Sequence, residues 1–332
     1  MNVFSKSKIP GLSRRDLLAA AALSGLAPGI LQAQDRYPSK PIKLIISSPA
    51  GSTFDSIGRA ASVEAEKKLG QPIVLEYRSG AGGTPAFVQA KNAAPDGYTL
   101  VIMSLSTVRQ PLLENVGYDG VKDFTWIASL AEINFGVVVQ ADSPFKTWAD
   151  LLAYGKANPQ KVSYGAPSGL GNSAHIFVSE VTAKEKLDWT AVPFRASNDC
   201  MTALLGGQLT FSVDTLISAA PMERAGKVRF LAMATNNRVR AWPDVPTMRD
   251  LGYSVSIESP IGIGGPAGMN AQVVQAVQDA YKFATEQPSF VALLEKSTQR
   301  PWYMNAVDFR KFADRAEREQ RELLTKYGLA KK

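Results

Sequence analysis

The chain has little of what most enzyme chemistry needs. It holds one cysteine, Cys200, and one histidine, His175, in 332 residues. A single cysteine excludes an internal disulfide and a thiolate metal site. A lone histidine argues against zinc, which usually draws on more than one imidazole, and gives a hydrolase triad only one candidate base. Cys200 sits in "NDCMTALLGG" and reads as a buried helix position, and His175 as a hydrogen-bonding residue in the first turn of a helix. The phosphate-loop spacing is missing, because no lysine follows the "GAGG" of Gly80–Gly83. "SGLGNSA", Ser168–Ala174, only superficially resembles a dinucleotide fingerprint. No basic run or aromatic–basic platform marks a nucleic-acid surface. We therefore expect no catalytic group, metal, cofactor or nucleic-acid partner.

Past the first 33 residues, no apolar run is long enough to cross a membrane. The first 33 read as an export signal. Lys6, Lys8, Arg14 and Arg15 precede "LLAAAALSGLAPGIL", and "LQA" ends at Ala33, the expected cleavage point before Gln34. "SRRDLL" favours the twin-arginine route, and Pro28 and Gly29 interrupt the apolar run, which disfavours an anchor. Losing four basic residues and one acidic residue leaves a weak positive balance from the formal +7. That balance fits mild attraction of anionic solutes.

Strand and helix patterns alternate along the rest of the chain. "IKLII", "PIVLEY", "YTLVIMS", "FGVVVQ", "KVSYG", "LTFSVDT" and "VRFLAMAT" read as strands, with helical patterns such as "WADLLAYGKAN" between them. The end, from Ala271 onward, reads as charged helices. This order predicts an α/β protein of two domains with mainly parallel sheets, joined without a linker by strands that cross twice.

In open α/β sheets, ligands sit beyond the C-terminal strand ends. Six such ends are rich in small donors: "SPAGSTFD", "RSGAGGT", "SLST", "APSGLGNSAH", "PFRASND" and Asp214. In the first, Ser52, Thr53 and Asp55 are candidate caps of a helix on which Ile57, Ala61, Ala65 and Leu69 share a face. A helix start presents unpaired N–H groups and a positive dipole end, which suits a carboxylate. Asp214 reads equally as a cap or a pocket residue.

These segments, in this order, resemble the Bug family, the periplasmic substrate-binding proteins of tripartite tricarboxylate transporters. The resemblance runs from "YPSKPIKLI" through "LGQPIVLEYRSGAGGT", "AAPDGYTL", "YDGVKDFTWIASL" and "KANPQKVSYGAPSGLGNSAH" to "WPDVPTMRDLGY". It implies a two-lobed, type II venus-flytrap fold with chain crossings near Ile127–Gln140 and Ser254–Gly265. Lobe one would comprise residues 34–132 and 258–332, and lobe two residues 133–257. The implied function is an extracytoplasmic receptor that grips a small organic carboxylate between the lobes. The implied partners are the solute and the membrane subunits of the transporter, with the receptor itself a monomer in the periplasm.

By motif position, the resemblance assigns Ala50, Gly51, Ser52, Thr53, Asp55, Ser104 and Ser106 of lobe one to the solute, with help from the Gly80–Thr84 turn. Lobe two would supply Ala166, Ser168, Gly169, Gly171, Ser173, Phe194, Arg195 and Asp214. Three residues depart from the family pattern. Phe54, if it faces the cleft, favours an aromatic or bulkier acid. Arg195 stands where lysine is frequent and would suit a second carboxylate. Arg109 replaces an apolar residue and, on a helix, would simply face solvent. The alternatives are a secreted enzyme on the same scaffold and an orphan sensor of organic acids.

Overall fold

The computed structural model describes residues 37–331. The proposed signal and its cleavage point lie outside them. β1 (Ile42–Ile46) begins the fold, and four of its five residues are buried. Its chain then turns into α1 (Thr53–Leu69), which ends at Gly70 in the left-handed conformation that glycine adopts without strain. Ile57, Ala61 and Ala65 are fully buried on the face that packs on the sheet. β2 (Ile73–Tyr77), α2 (Thr84–Lys91), β3 (Thr99–Ser104), α3 (Leu105–Leu113) and β4 (Phe124–Glu132) follow.

The chain then enters a second sheet. It forms β5 (Phe135–Gln140), α4 (Trp148–Ala157), β6 (Ser163–Pro167), α5 (Ser173–Glu185) and β7 (Thr190–Phe194). α6 (Ser197–Leu205), β8 (Phe211–Thr215), α7 (Leu216–Arg224) and β9 (Val228–Met233) complete it. The return to the first sheet brings β10 (Pro260–Pro266), α8 (Ala271–Thr285), α9 (Pro288–Lys296), β11 (Arg300–Met304) and α10 (Ala306–Lys326). The strand orders are β11-β4-β10-β3-β1-β2 and β7-β6-β8-β5-β9. Two passes therefore join the sheets, and they lie side by side: Ile133 N–H donates to Ser259 O at 2.8 Å, and Ile257 N–H to Ala234 O at 2.8 Å.

The sheets are less parallel than the alternation implied. β2-β1-β3 and β7-β6-β8 are parallel, but β10 runs antiparallel to both β3 and β4, and β5 to both β8 and β9. Sequence alternation sees βαβ units only, whereas a strand arriving from the other sheet enters in the opposite direction. The C-terminal region also differs from the all-helical expectation. β11, "RPWYM", is a short edge strand beside β4 that carries Pro301, which an edge tolerates and a sequence pattern hides.

Candidate functional site

The turn after β1 is built around its own hydrogen bonds. Ser52 is the N-cap of α1, and its Oγ accepts from Asp55 N–H at 3.3 Å. Asp55 reaches back to accept from Gly51 N–H at 2.7 Å, and its other oxygen accepts from Arg59 at 3.0 Å and from the Tyr77 hydroxyl at 2.8 Å. Gly51, at φ +77°, is in the region that favours glycine. Asp55 is thus a structural cap and its carboxylate is fully engaged. It also takes the Gly51 amide, so the amides at this helix start without a partner among the described residues belong to Thr53 and Phe54.

The turn between β6 and α5 has a similar logic. Asn172 caps α5, its Oδ1 accepting from His175 N–H at 2.8 Å. The imidazole Nδ1 of His175 accepts from Gly171 N–H at 2.8 Å, so this side chain holds the turn in its neutral form. Burial, and secondarily the nearby Arg109 charge, push its pKa below the usual histidine value. With its oxygen committed to the cap, Asn172 leaves Nδ2 as a buried donor with no partner among the described residues. Ser104 Oγ, which faces the Thr107 N–H in a capping-box arrangement at the start of α3, is also buried and makes no hydrogen bond of normal geometry there. An unpaired buried polar atom is costly.

The loops meet around a chamber of about 60 Å³ between the two sheets. A single water needs about 10–15 Å³, so the chamber suits a solute of a few heavy atoms. Of the residues that the resemblance assigns to the solute, Ser52, Thr53, Ser104, Ser106, Ser168 and Ser173 line it. Phe54, Asn172 and Ser197 also line it and fall within loops that the resemblance assigns to the solute, whereas Ser48, Thr215 and Ser259 lie outside them. Asn172 was readable as the N-cap of the helix that carries His175. Ser259 has no sequence signal, because only the returning pass places it there. Phe54 faces the cleft.

A wider outer pocket of about 260 Å³ shares Ser48, Phe54, Ser106 and Ser168 with the chamber. Gly169, Phe194, Arg195 and the Gly80–Gly83 turn line this outer part. Arg195 is largely exposed there and pairs with Asp199 at 3.2 Å. Ala50, Gly51, Asp55, Ala166, Gly171 and Asp214 line neither space. Ala50 and Gly51 are exposed, while Ala166 is a core residue of β6. Gly171 lies where a Cβ would come within 2.6 Å of Leu113.

Asp214 is wholly buried behind the wall residue Thr215, whose N–H donates to it at 2.8 Å. The Ser212 hydroxyl lies 3.2 Å away. Burial raises its pKa to about 7 despite these donors. Arg109 corrects the sequence expectation most sharply. It is 3% exposed rather than solvent-facing, with Nε donating to Gln320 at 2.8 Å and Nη1 to Ser173 Oγ at 3.1 Å. The inner chamber is therefore walled by hydroxyls, an amide and apolar surface, with the Arg109 guanidinium set behind it on one side and the Asp214 carboxyl on the other.

Loops from the two sheets touch directly. Thr53 Oγ1 and Thr215 Oγ1 are 2.9 Å apart, and Asn198 Nδ2 donates to Gly51 O at 3.1 Å. Residues 57–329 match the family described as tripartite tricarboxylate transporter family receptor. The chain belongs to this family. Its relatives include a UPF0065 protein from the gbd 5' region of Cupriavidus necator, 36% identical, the match covering 96% of this chain and 98% of the relative. BugT of Bordetella pertussis is 28% identical, covering 76% of this chain and 78% of its own. Among solved structures, the periplasmic binding protein BugD superposes with a TM-score of 0.84 at 25% identity, over 89% of this chain and 100% of BugD. MatC from Rhodopseudomonas palustris with bound malate gives 0.79 at 25% identity, over 87% of this chain and 100% of MatC. The fold is thus the two-lobed periplasmic-binding-protein fold, and this Bug-type receptor carries its chamber between the lobes.

Proposed function

We propose that this receptor binds a small organic carboxylate in the chamber between its lobes and presents it, in the periplasm, to the membrane subunits of a transporter. The observation that carries the reading is the donor set. Among the described residues, the Thr53 and Phe54 amides at a helix start and Asn172 Nδ2 have no partner, and Ser104 Oγ makes no hydrogen bond of normal geometry. A carboxylate accepting from these groups would satisfy atoms the protein leaves unpaired. The solute residues would be Ser52, Thr53, Ser104, Ser106, Ser168 and Ser173, with Phe194 and Arg195 at the outer mouth. Gly169 would join them at that mouth, Ala50, Gly51, Asp55 and Gly171 would shape the loops, and Ala166 and Asp214 would back them from β6 and β8.

The chamber wall carries no titratable side chain among the described residues, which disfavours acid–base catalysis there. Malate, which MatC binds, is the first acid to test. Residues 37–132 and 258–331 would move as one lobe and 133–257 as the other. Native mass spectrometry of protein purified from periplasm should find a mass beginning at Gln34 and a retained acid. Calorimetry with malate and related acids should show binding, and the acids should be returned unmodified. Turnover by pure protein, or no binding across a broad panel of carboxylates, would defeat the reading.

A further inference from the structure

We propose that Arg109 determines which solutes close the two lobes: its guanidinium, sealed at the seam without a carboxylate partner, makes closure depend on a negative charge in the chamber. The proposal rests on the carboxylate reading of that chamber. Its basis is the placement of one side chain. Nε is held by Gln320 of α10, within the first lobe, and Nη1 by Ser173 at the start of α5, in the second. Only when the lobes meet is the second contact made and that side of the guanidinium shut off from water.

The charged groups around it are otherwise engaged. Glu180, Glu258, Arg315 and Glu319 line the same crevice of about 280 Å³. Glu180 accepts from the Tyr327 hydroxyl at 3.3 Å and lies 3.9 Å from Lys326 Nζ. Glu258 and Glu319 both pair with Arg315, at 3.4 and 3.5 Å. No carboxylate among the described residues forms an ion pair with Arg109, and its hydrogen-bond partners are neutral. His175, on α5, is kept neutral partly by this charge. Burial pulls the Arg109 pKa down to about 9, which leaves the group cationic at neutral pH.

Burying an uncompensated cation opposes closure. Ser173 and Leu105 belong to both the crevice and the chamber, so an anion in the chamber lies one residue from the guanidinium. Beside a guanidinium that is only 3% exposed, that anion offsets the cost of closing, whereas a neutral solute of the same shape does not. Arg109 thus acts on ligand charge through Ser173, as a positioning and selectivity residue, not as a direct clamp.

The first test needs no ligand. Small-angle scattering of the ligand-free chain should give a smaller radius of gyration for Arg109→Leu and Arg109→Gln than for wild type, because the charge that opposes closure is gone. Arg109→Lys should match wild type. One folded neutral variant is enough, and equal radii for it and wild type overturn the proposal. The second test compares malate with malamide, its uncharged analogue, by calorimetry. The affinity ratio of acid to amide should fall at least tenfold in the neutral variants and stay within about threefold in Arg109→Lys. An unchanged ratio also overturns the proposal. If wild type binds no acid at all, the carboxylate reading fails, and the ligand-free radii still decide the role of Arg109.

Discussion

Replacing Asp214 by Asn should make the protein's stability less sensitive to pH, and the size of the effect follows from its position. The carboxyl is wholly buried and its pKa is raised from 3.8 to about 7, chiefly by burial. A raised native pKa means that the folded state binds a proton that the unfolded chain releases. The stability this supplies is fully present below about pH 4 and is lost as pH rises through 7. Each tenfold difference in proton affinity between the folded and unfolded chain corresponds to about 1.4 kcal/mol. Wild type should therefore lose about 2 kcal/mol between pH 5 and pH 7 through this group alone.

Asn keeps the shape and can still accept from Thr215 N–H, now at 2.8 Å from the carboxylate, but it cannot ionise. Urea unfolding of both proteins at pH 5, 6 and 7 measures the difference directly. Other carboxylates here, such as Glu64 and Asp150, have their pKa lowered through their own hydrogen bonds. They cancel in the comparison, since both proteins contain them. The stability of Asp214→Asn relative to wild type should therefore improve by about 2 kcal/mol from pH 5 to pH 7. A pH-independent difference would show that Asp214 is ionised throughout, held by the Ser212 hydroxyl and the Thr215 amide in spite of its burial.

His175 is the chain's single imidazole, so nitrogen NMR of untagged protein reports it without ambiguity. Its midpoint should fall below 6.5, and the stability tied to its neutral form should be present above that value and lost as pH falls through the native midpoint; a midpoint above 6.5 would refute the Gly171-to-Nδ1 hydrogen bond. Gly171→Ala should cost about 1 kcal/mol of stability, because φ there is +75°, and should weaken closure against Leu113; scattering with and without malate would check the second effect, and an undiminished change in radius would refute it.

The strands that legible periodicity identified, such as "IKLII" and "FGVVVQ", are buried on nearly every residue, and apolar runs record that burial directly. β10 is not among the strands that periodicity picks out, because glycines break up the apolar run in "PIGIGGP"; only the resemblance placed a chain crossing there, near Ser254–Gly265. Its glycines are there for close approach: a Cβ on Gly262 would lie 2.3 Å from Ala128 O and 2.5 Å from the Phe309 ring. The same limit applied at the site. The hydroxyl-rich turns could be read one by one as helix starts. Which amide each turn keeps for itself could not, because Asp55 takes Gly51 N–H through a geometry that only the folded turn defines. Arg109 was misread for a related reason: its neighbours α5 and α10 lie 64 and 211 residues away in the chain, through Ser173 and Gln320.

A transport receptor has to release what it binds, and the arrangement of charge suits that requirement. A guanidinium placed directly on a ligand carboxylate would form a bidentate, desolvated pair, strong and slow to break. Here the chamber presents neutral donors, while Arg109 stands behind Ser173 and Asp214 behind Thr215. Neutral hydrogen bonds contribute about 0.5–1.5 kcal/mol each, and a helix start about 0.3–1 kcal/mol more. Several together give useful affinity only while the lobes are shut and the donors converge. Direct contacts between lobes, such as Thr53 with Thr215, Asn198 with Gly51 and Arg109 with Ser173, are single hydrogen bonds. On the proposed reading, opening would disperse the donor set and let water reach the ligand, the Arg109 charge and the released amides at the same time.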